Sequence, residues 1–311
     1  MKKFLIIGMG NMGKIHKRVI ENMQNSSVSG IVDSDIEKLN SYKKELAIYK
    51  DVNEIDFKKD PYDAAIISSN TSSHYQIAKT LIENKIPFLV EKPITTSKRE
   101  FDEIIKNSFE KKIIIRCGII ETYNPIFNFI KNLKLDDVKS IQIFRHSQKI
   151  KGRNVDNVIF DLVIHDLSVL IKLYPDSNIE FISKNYNKNK TFLESVDIFL
   201  KINDIPILIS ASRESQTKLR NWSLKTEDQD YEIDLISKTV NIFESGVVNI
   251  EDDFIVSNNL KNTKKIFSNS KESAEIQIIE FVKNLENNEI DMEHFNLFCK
   301  THEELFKLNE F

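Results

Sequence analysis

Two regimes of hydrophobic patterning divide this chain near residue 120. Before it, short apolar runs at residues 3–7, 28–33, 64–68, 87–90 and 113–117, with a weaker one at Ile48 and Tyr49, alternate with longer amphipathic stretches. Runs of that length bounded by turn residues read as buried strands. The stretches at 11–23, 36–46, 73–84 and 98–109 read as helices. Strands and helices in alternation imply βαβ units around a parallel sheet.

After Gly118 the pattern changes. One long apolar stretch at 155–174 predicts a helix. Val196, Ile198, Leu200 and Ile202 then alternate with Asp197, Phe199, Lys201 and Asn203, which suits a strand with one buried face. Runs at 205–211, 222–226, 231–236 and 239–243 follow with short connections, so a largely antiparallel sheet is expected. The tail from Ser273 reads as helical. The expected class is α/β: a doubly wound parallel domain over residues 1–121, then an α+β domain over residues 122–311.

A chain of 311 residues with 41% apolar and 29% charged residues suits two folded cores and excludes a disordered class. The net charge is −3 with both signs interspersed, so no nucleic-acid partner is expected. The apolar start ends at Gly8, too short for a secretory leader. No later run reaches the length of a membrane span, so a cytoplasmic protein without a membrane partner is expected. Cys117 and Cys299, the only cysteines, fit a reducing compartment.

Glycine changes the picture most. The chain has seven, and Gly8, Gly10 and Gly13 fall within six residues. Together with Met9, Asn11 and Met12 they form a G-x-G-x-x-G between a predicted strand and a predicted helix. The first glycine permits the tight turn, the second lets a pyrophosphate approach the backbone, and the third allows close packing of helix on strand. Asp33 closes the second strand, where a carboxylate hydrogen-bonds a ribose 2′-hydroxyl and repels a 2′-phosphate. NAD is therefore expected in preference to NADP.

Three further residues have the chemistry of a reaction centre. Lys92, in Glu91-Lys92-Pro93, follows a strand at the sheet edge where α/β proteins bind ligands. Its spacing alone fits a solvated surface lysine better than a functional one. Asp161 and His165 lie four apart on the long apolar helix with Ser168 nearby, either as a satisfied buried pair or as functional groups. His294, Cys299 and His302 do not share one helical face and lack a Cys-x-x-Cys, so no metal site is expected.

With Gly8 to Gly13, Asp33, Asn70-Thr71-Ser72-Ser73-His74, Glu91-Lys92-Pro93 and Asp161-x-x-x-His165-Asp166 in order, the chain resembles the Gfo/Idh/MocA family (glucose–fructose oxidoreductase, inositol dehydrogenase, rhizopine catabolism). The resemblance runs by motif from residue 3 to about 175. It implies a Rossmann domain followed by an open, mainly antiparallel sheet that packs against another subunit, giving homodimers or homotetramers. It also implies that Ser69, Asn70, Thr71, His74, Glu91 and Lys92 border the cofactor. Lys92, Asp161 and His165 would line the sugar pocket beside the nicotinamide.

Within the family, Gly118-Ile119-Ile120-Glu121-Thr122-Tyr123-Asn124-Pro125 and the stretch from Arg153 through Asp156 to Asp166 resemble enzymes that oxidise the 3-hydroxyl of UDP-N-acetylglucosamine-type sugars. That resemblance implies substrate contacts from Tyr123, Asn124 and Arg153. The chain departs from the subgroup at Ile119 and Thr122, where His and Arg are usual. The expected activity is hydride transfer between a sugar hydroxyl and nicotinamide. Lys92 would polarise the hydroxyl, His165 exchange its proton and Asp161 orient the sugar, with the roles of Lys92 and His165 open to reversal. The alternatives are an inositol or free-monosaccharide dehydrogenase and a non-catalytic dinucleotide sensor.

Overall fold

Alternating strands and helices place six short strands side by side: β1 (Lys2–Ile7), β2 (Ser26–Val32), β3 (Ala47–Tyr49), β4 (Ala64–Ile67), β5 (Phe88–Val90) and β6 (Ile115–Cys117). The computed structural model describes residues 1–148, 156–186, 193–244, 247–251, 254–258, 261–267 and 271–311. The six strands form one parallel sheet in the order β3-β2-β1-β4-β5-β6. Helices α1 (Asn11–Glu21), α2 (Ile36–Leu39), α3 (Thr71–Glu83) and α4 (Lys98–Glu110) make the crossovers. Strand order reverses between β1 and β4, and the carboxyl ends of strands at such a reversal are where doubly wound sheets bind ligands.

The second unit contains α5 (Pro125–Lys131), β7 (Ser140–His146), α6 (Ile164–Leu173), β8 (Ile179–Asn185), β9 (Ser195–Ile202), β10 (Ile205–Ser212), β11 (Leu219–Lys225), β12 (Gln229–Asp234), β13 (Thr239–Glu244), β14 (Val247–Glu251), β15 (Phe254–Asn258) and β16 (Lys261–Ile266). Eight of the strands form a sheet in the order β16-β13-β12-β11-β7-β10-β9-β8. It is antiparallel except where β7 runs parallel to β10. One face packs inward through Ile198, Leu200, Ile207, Ile209 and Trp222, all essentially buried. Burying a large apolar side chain stabilises by about 1.5–3 kcal/mol, so alternation along these strands decides which face packs inward.

The chain then returns. Helix α7 (Ser273–Asn287) and the following α8 (Met292–Glu310) end the sequence. Residues Lys271–Phe306 cluster with Met1–Tyr123, while Asn124–Ser270 and Lys307–Phe311 make the other unit. The expected second domain of 122–311 therefore differs from the observed division. Ile278, Phe281, Val282 and Leu285 of α7 complete the apolar core built on Phe4, Ile6, Val19 and Ile20, and Phe281 meets Phe4 edge to face.

Two expected helices are also altered. The second ends as an α-helix at Leu39 and continues as a 3-10 turn (Asn40–Tyr42). The helix expected over 155–174 opens with a π turn (Ile159–Val163) before α6. Among the described residues no helix is long and apolar enough to cross a membrane.

Candidate active site

The glycine turn links β1 to α1. Gly8 sits at φ +97°, and a Cβ there would lie 2.5 Å from the Ser69 amide nitrogen. Only glycine meets both demands. A Cβ on Gly13 would collide with the Gly8 carbonyl, so that glycine sets how closely α1 approaches the turn. A Cβ on Gly10, by contrast, meets nothing within 4 Å. Gly10 and Asn11 are exposed, Met12 partly so, and no side chain caps the start of α1. The first amides of this helix thus face open space, as an incoming phosphate requires.

Beside the turn lies a cavity of about 430 Å³ bordered by Gly8, Gly10, Asp33, Lys38, Asn70 and Ser73. Asp33 stands at its rim. Its Oδ2 accepts from the Met9 amide at 2.7 Å and its Oδ1 from the Asp35 amide at 2.9 Å, with Lys38 Nζ 3.8 Å away. The carboxylate therefore ties the end of β2 to the glycine turn. The loop after β4 closes the other wall: Ser68 Oγ donates to the Gly8 carbonyl at 2.8 Å, and the Ser69 and Ser73 hydroxyls are 2.7 Å apart. A dinucleotide fits this set, since open helix amides, a glycine without lateral contacts and a carboxylate at the strand end meet at the strand reversal.

His74 lies beneath that loop, almost wholly buried. Its Nε2 is 3.1 Å from the Ser69 carbonyl and its Nδ1 3.0 Å from the Pro93 carbonyl. Instead of lining the cavity, it braces the loop that carries Ser69, Asn70 and Thr71.

Glu91 follows β5. Its carboxylate takes the buried His16 Nε2 at 2.7 Å and packs against Gly118, where a Cβ would lie 2.7 Å from Oε2. Lys92 is partly buried, and the peptide bond to Pro93 is cis. Burial pushes the Cys117 thiol well above its ordinary range and the Cys299 thiol up to about 12, so neither is a thiolate at neutral pH.

The Tyr123 hydroxyl accepts from Arg116 at 2.6 Å, and desolvation raises its pKa. Arg116 is fully buried and also reaches Asn284, Asp291 and Glu280, holding α7 and the start of α8 to β6. The phenol expected to contact substrate thus belongs to a structural network. Thr122, at the position where the subgroup has Arg, is buried and donates to the Ile119 carbonyl.

In the second unit, Asn124 caps α5 by accepting from the Ile126 amide at 3.2 Å. Asp161 sits in the π turn, an element common at functional sites because it redirects side chains within a helix. Its Oδ2 accepts from Arg213 at 3.1 Å, and Arg213 also binds Glu194 at 2.8 Å and the Asp156 carbonyl at 2.6 Å. His165 is partly buried one helical turn later. The neighbouring Asp166 points into the sheet, where Arg145 and Trp222 bind it at 2.5, 2.9 and 3.0 Å. Arg153 lies outside the described residues.

Arg213 and Arg145 escape sequence reasoning. Each continues an inward-facing alternation, Arg213 after Ile207, Ile209 and Ala211, and Arg145 after Ile141 and Ile143. A cation at a core register position is the signal that could have found them, because it demands a buried anion. Among the described residues no cluster of metal ligands occurs. His294 instead accepts from the Cys117 amide and His302 from the Ile94 amide.

The profile of the Gfo/Idh/MocA oxidoreductase family, with its NAD-binding Rossmann fold, matches residues 2–118. A UDP-N-acetylglucosamine 3-dehydrogenase of Acidithiobacillus ferrooxidans is 22% identical over 243 residues, covering 78% of this chain and 76% of that protein. Its solved structure superposes with a TM-score of 0.77 at 17% identity, over 96% of this chain and 95% of that one. A 3-ketoreductase from Actinomadura kijaniata, in complex with TDP-benzene and NADP, superposes with a TM-score of 0.81 at 10% identity, over 98% and 96%.

Proposed function

We propose, from the match of residues 2–118 to the Gfo/Idh/MocA oxidoreductase family, that this chain transfers a hydride between nicotinamide and the C3 hydroxyl of a nucleotide-linked amino sugar, with NAD as cofactor. The observation that carries this reading is the cavity bounded by Gly8, Gly10 and Asp33, in a chain that also has Lys92, Asp161 and His165. A silent dinucleotide sensor needs only the first of these features.

Gly8, Gly10, Asn11, Met12 and Gly13 would hold the pyrophosphate through helix amides, and Asp33 the adenosine ribose. Bound NAD supplies the hydride acceptor at C4 of its ring. Lys92, as a cation, donates to the reacting hydroxyl and makes its proton easier to lose. His165 accepts that proton, and Asp161 binds a neighbouring sugar hydroxyl. The carboxylate of Asp33 opposes a 2′-phosphate, which favours NAD even though the ketoreductase neighbour is an NADP complex. We place the protein in the cytoplasm as a homodimer or homotetramer joined through the open sheet face.

A second reading rests on Thr122, whose buried hydroxyl offers no cation for a nucleotide diphosphate. A free sugar or inositol would then be the substrate, as for the myo-inositol 2-dehydrogenase of Thermotoga maritima, 25% identical over 130 residues. Thermal shifts with NAD, NADP, UDP, UDP-N-acetylglucosamine and myo-inositol, each sugar with cofactor present, separate the two. A further rise from the UDP-sugar over NAD alone supports the first reading, and a rise from inositol but not from UDP supports the second.

A further inference from the structure

Beyond Val90 the chain leaves the sheet, and residues 91–96 have no regular secondary structure. The Glu91 amide still donates to the Ile67 carbonyl at 2.8 Å. A functional lysine on such a segment needs other restraints, because side chains on irregular backbone keep their place only when packing and hydrogen bonds fix them.

Three of the six histidines supply them from three different helices. His16 on α1 binds the Glu91 carboxylate at 2.7 Å, His74 on α3 meets the Pro93 carbonyl at 3.0 Å, and His302 on α8 takes the Ile94 amide at 3.0 Å. All three rings are buried. They flank Lys92 on both sides.

His302 is the most informative of the three. Its Nδ1 lies 2.8 Å from the Phe298 carbonyl, which can only accept, and its Nε2 faces an amide, which can only donate. The ring is therefore neutral with its proton on Nδ1. It stacks on Phe101 of α4, with centroids 4.7 Å apart and planes at 15°, and touches no other polar side chain in these contacts.

We infer that His302 is a positioning residue for Lys92, acting through the Ile94 amide, and that His16 and His74 complete a three-point clamp on the Glu91-Lys92-Pro93 segment. The inference rests on the reading of Lys92 as the residue that meets the reacting hydroxyl. The clamp takes a residue 208 positions away in sequence and makes it part of the site's geometry. The α8 helix thus holds the functional lysine as well as packing the core.

The test compares His302→Phe, which keeps the stack on Phe101 and removes the acceptor, with His302→Gln, whose side-chain oxygen can accept from Ile94. Amide hydrogen exchange is read at Ile94 and, as internal controls, at Ile66 and Leu89. In His302→Phe, exchange at Ile94 should rise by about tenfold or more with the controls unchanged, and His302→Gln should restore most of the protection. With an active sugar, kcat should fall about tenfold or more while the KM for NAD stays put. Unchanged Ile94 protection in a folded His302→Phe protein overturns the inference. If that variant does not fold, the histidine ¹⁵N spectrum of the wild-type protein decides: Nδ1–H is expected, and Nε2–H overturns the clamp. Neither the exchange nor the ¹⁵N readout uses a sugar, so a wild-type protein inactive on every sugar counts against the proposed function and not against the clamp.

Discussion

The carboxylate of Asp161 lies 3.1 Å from the guanidinium of Arg213, which also grips Glu194 at 2.8 Å. All three groups are nearly buried. One cation therefore contacts two buried anions. Removing one partner of a buried ion pair costs about 3–5 kcal/mol, because the remaining charge stays desolvated and unpaired. Arg213→Ala is expected to lose stability of that order in urea denaturation. Arg213→Lys should recover part of it, since a lysine cannot reproduce the forked contact.

The glycines of the turn separate stability from binding. Gly13→Ala forces a Cβ into the Gly8 carbonyl and should lower the melting temperature. Gly10→Ala places its Cβ in open space and should melt like the wild type. The same substitution should weaken NAD binding by about tenfold or more, because that space is where the phosphates come. Calorimetric unfolding and NAD titration of both variants check the split.

Asp33→Ala removes the charge that opposes a 2′-phosphate. The ratio of NAD to NADP affinity should fall by about tenfold or more. The Met9 and Asp35 amides lose their acceptor in the same variant, so absolute NAD affinity should fall as well. Fluorescence titration with both cofactors measures the ratio, and an unchanged ratio would contradict the proposed role of Asp33 in favouring NAD.

Burial lowers the pKa of His302 to about 4, with the Phe298 carbonyl acting weakly in the other direction. The groups packed around it are Phe101, Phe298 and Phe306. An unfolded histidine binds a proton below about pH 6.5, whereas the folded one stays neutral down to about 4. Stability from this group is therefore full above pH 6.5 and is lost as pH falls towards 4, by about 3 kcal/mol in all. Denaturant midpoints measured from pH 7 to 4 should flatten in His302→Gln relative to the wild type.

Much of the first unit was legible in sequence because its strands are short, wholly apolar and punctuated by turns, as at Ala64–Ile67. The glycine motif and Asp33 were legible because backbone chemistry leaves few residue choices there. Strand β7 was not, since Arg145 interrupts its apolar register and its parallel pairing with β10 leaves no local trace. The π turn at Asp161 was hidden because apolar residues surround it on every side. The return of α7 to the first core was equally invisible, since an amphipathic helix does not state which sheet it covers. The structural contacts of Tyr123 with Arg116 and of Asn124 with the start of α5 were not legible either, since their residue types alone do not announce an arginine network or a helix cap.

The most direct test mixes the purified protein with NAD and UDP-N-acetylglucosamine and follows formation of reduced nicotinamide by its absorbance. A rise that depends on the sugar, and that Lys92→Ala lowers by about 10²–10⁴-fold without loss of NAD binding, is the predicted result. Tight NAD binding with no reduction by any nucleotide sugar, or near-normal turnover in Lys92→Ala, would contradict it.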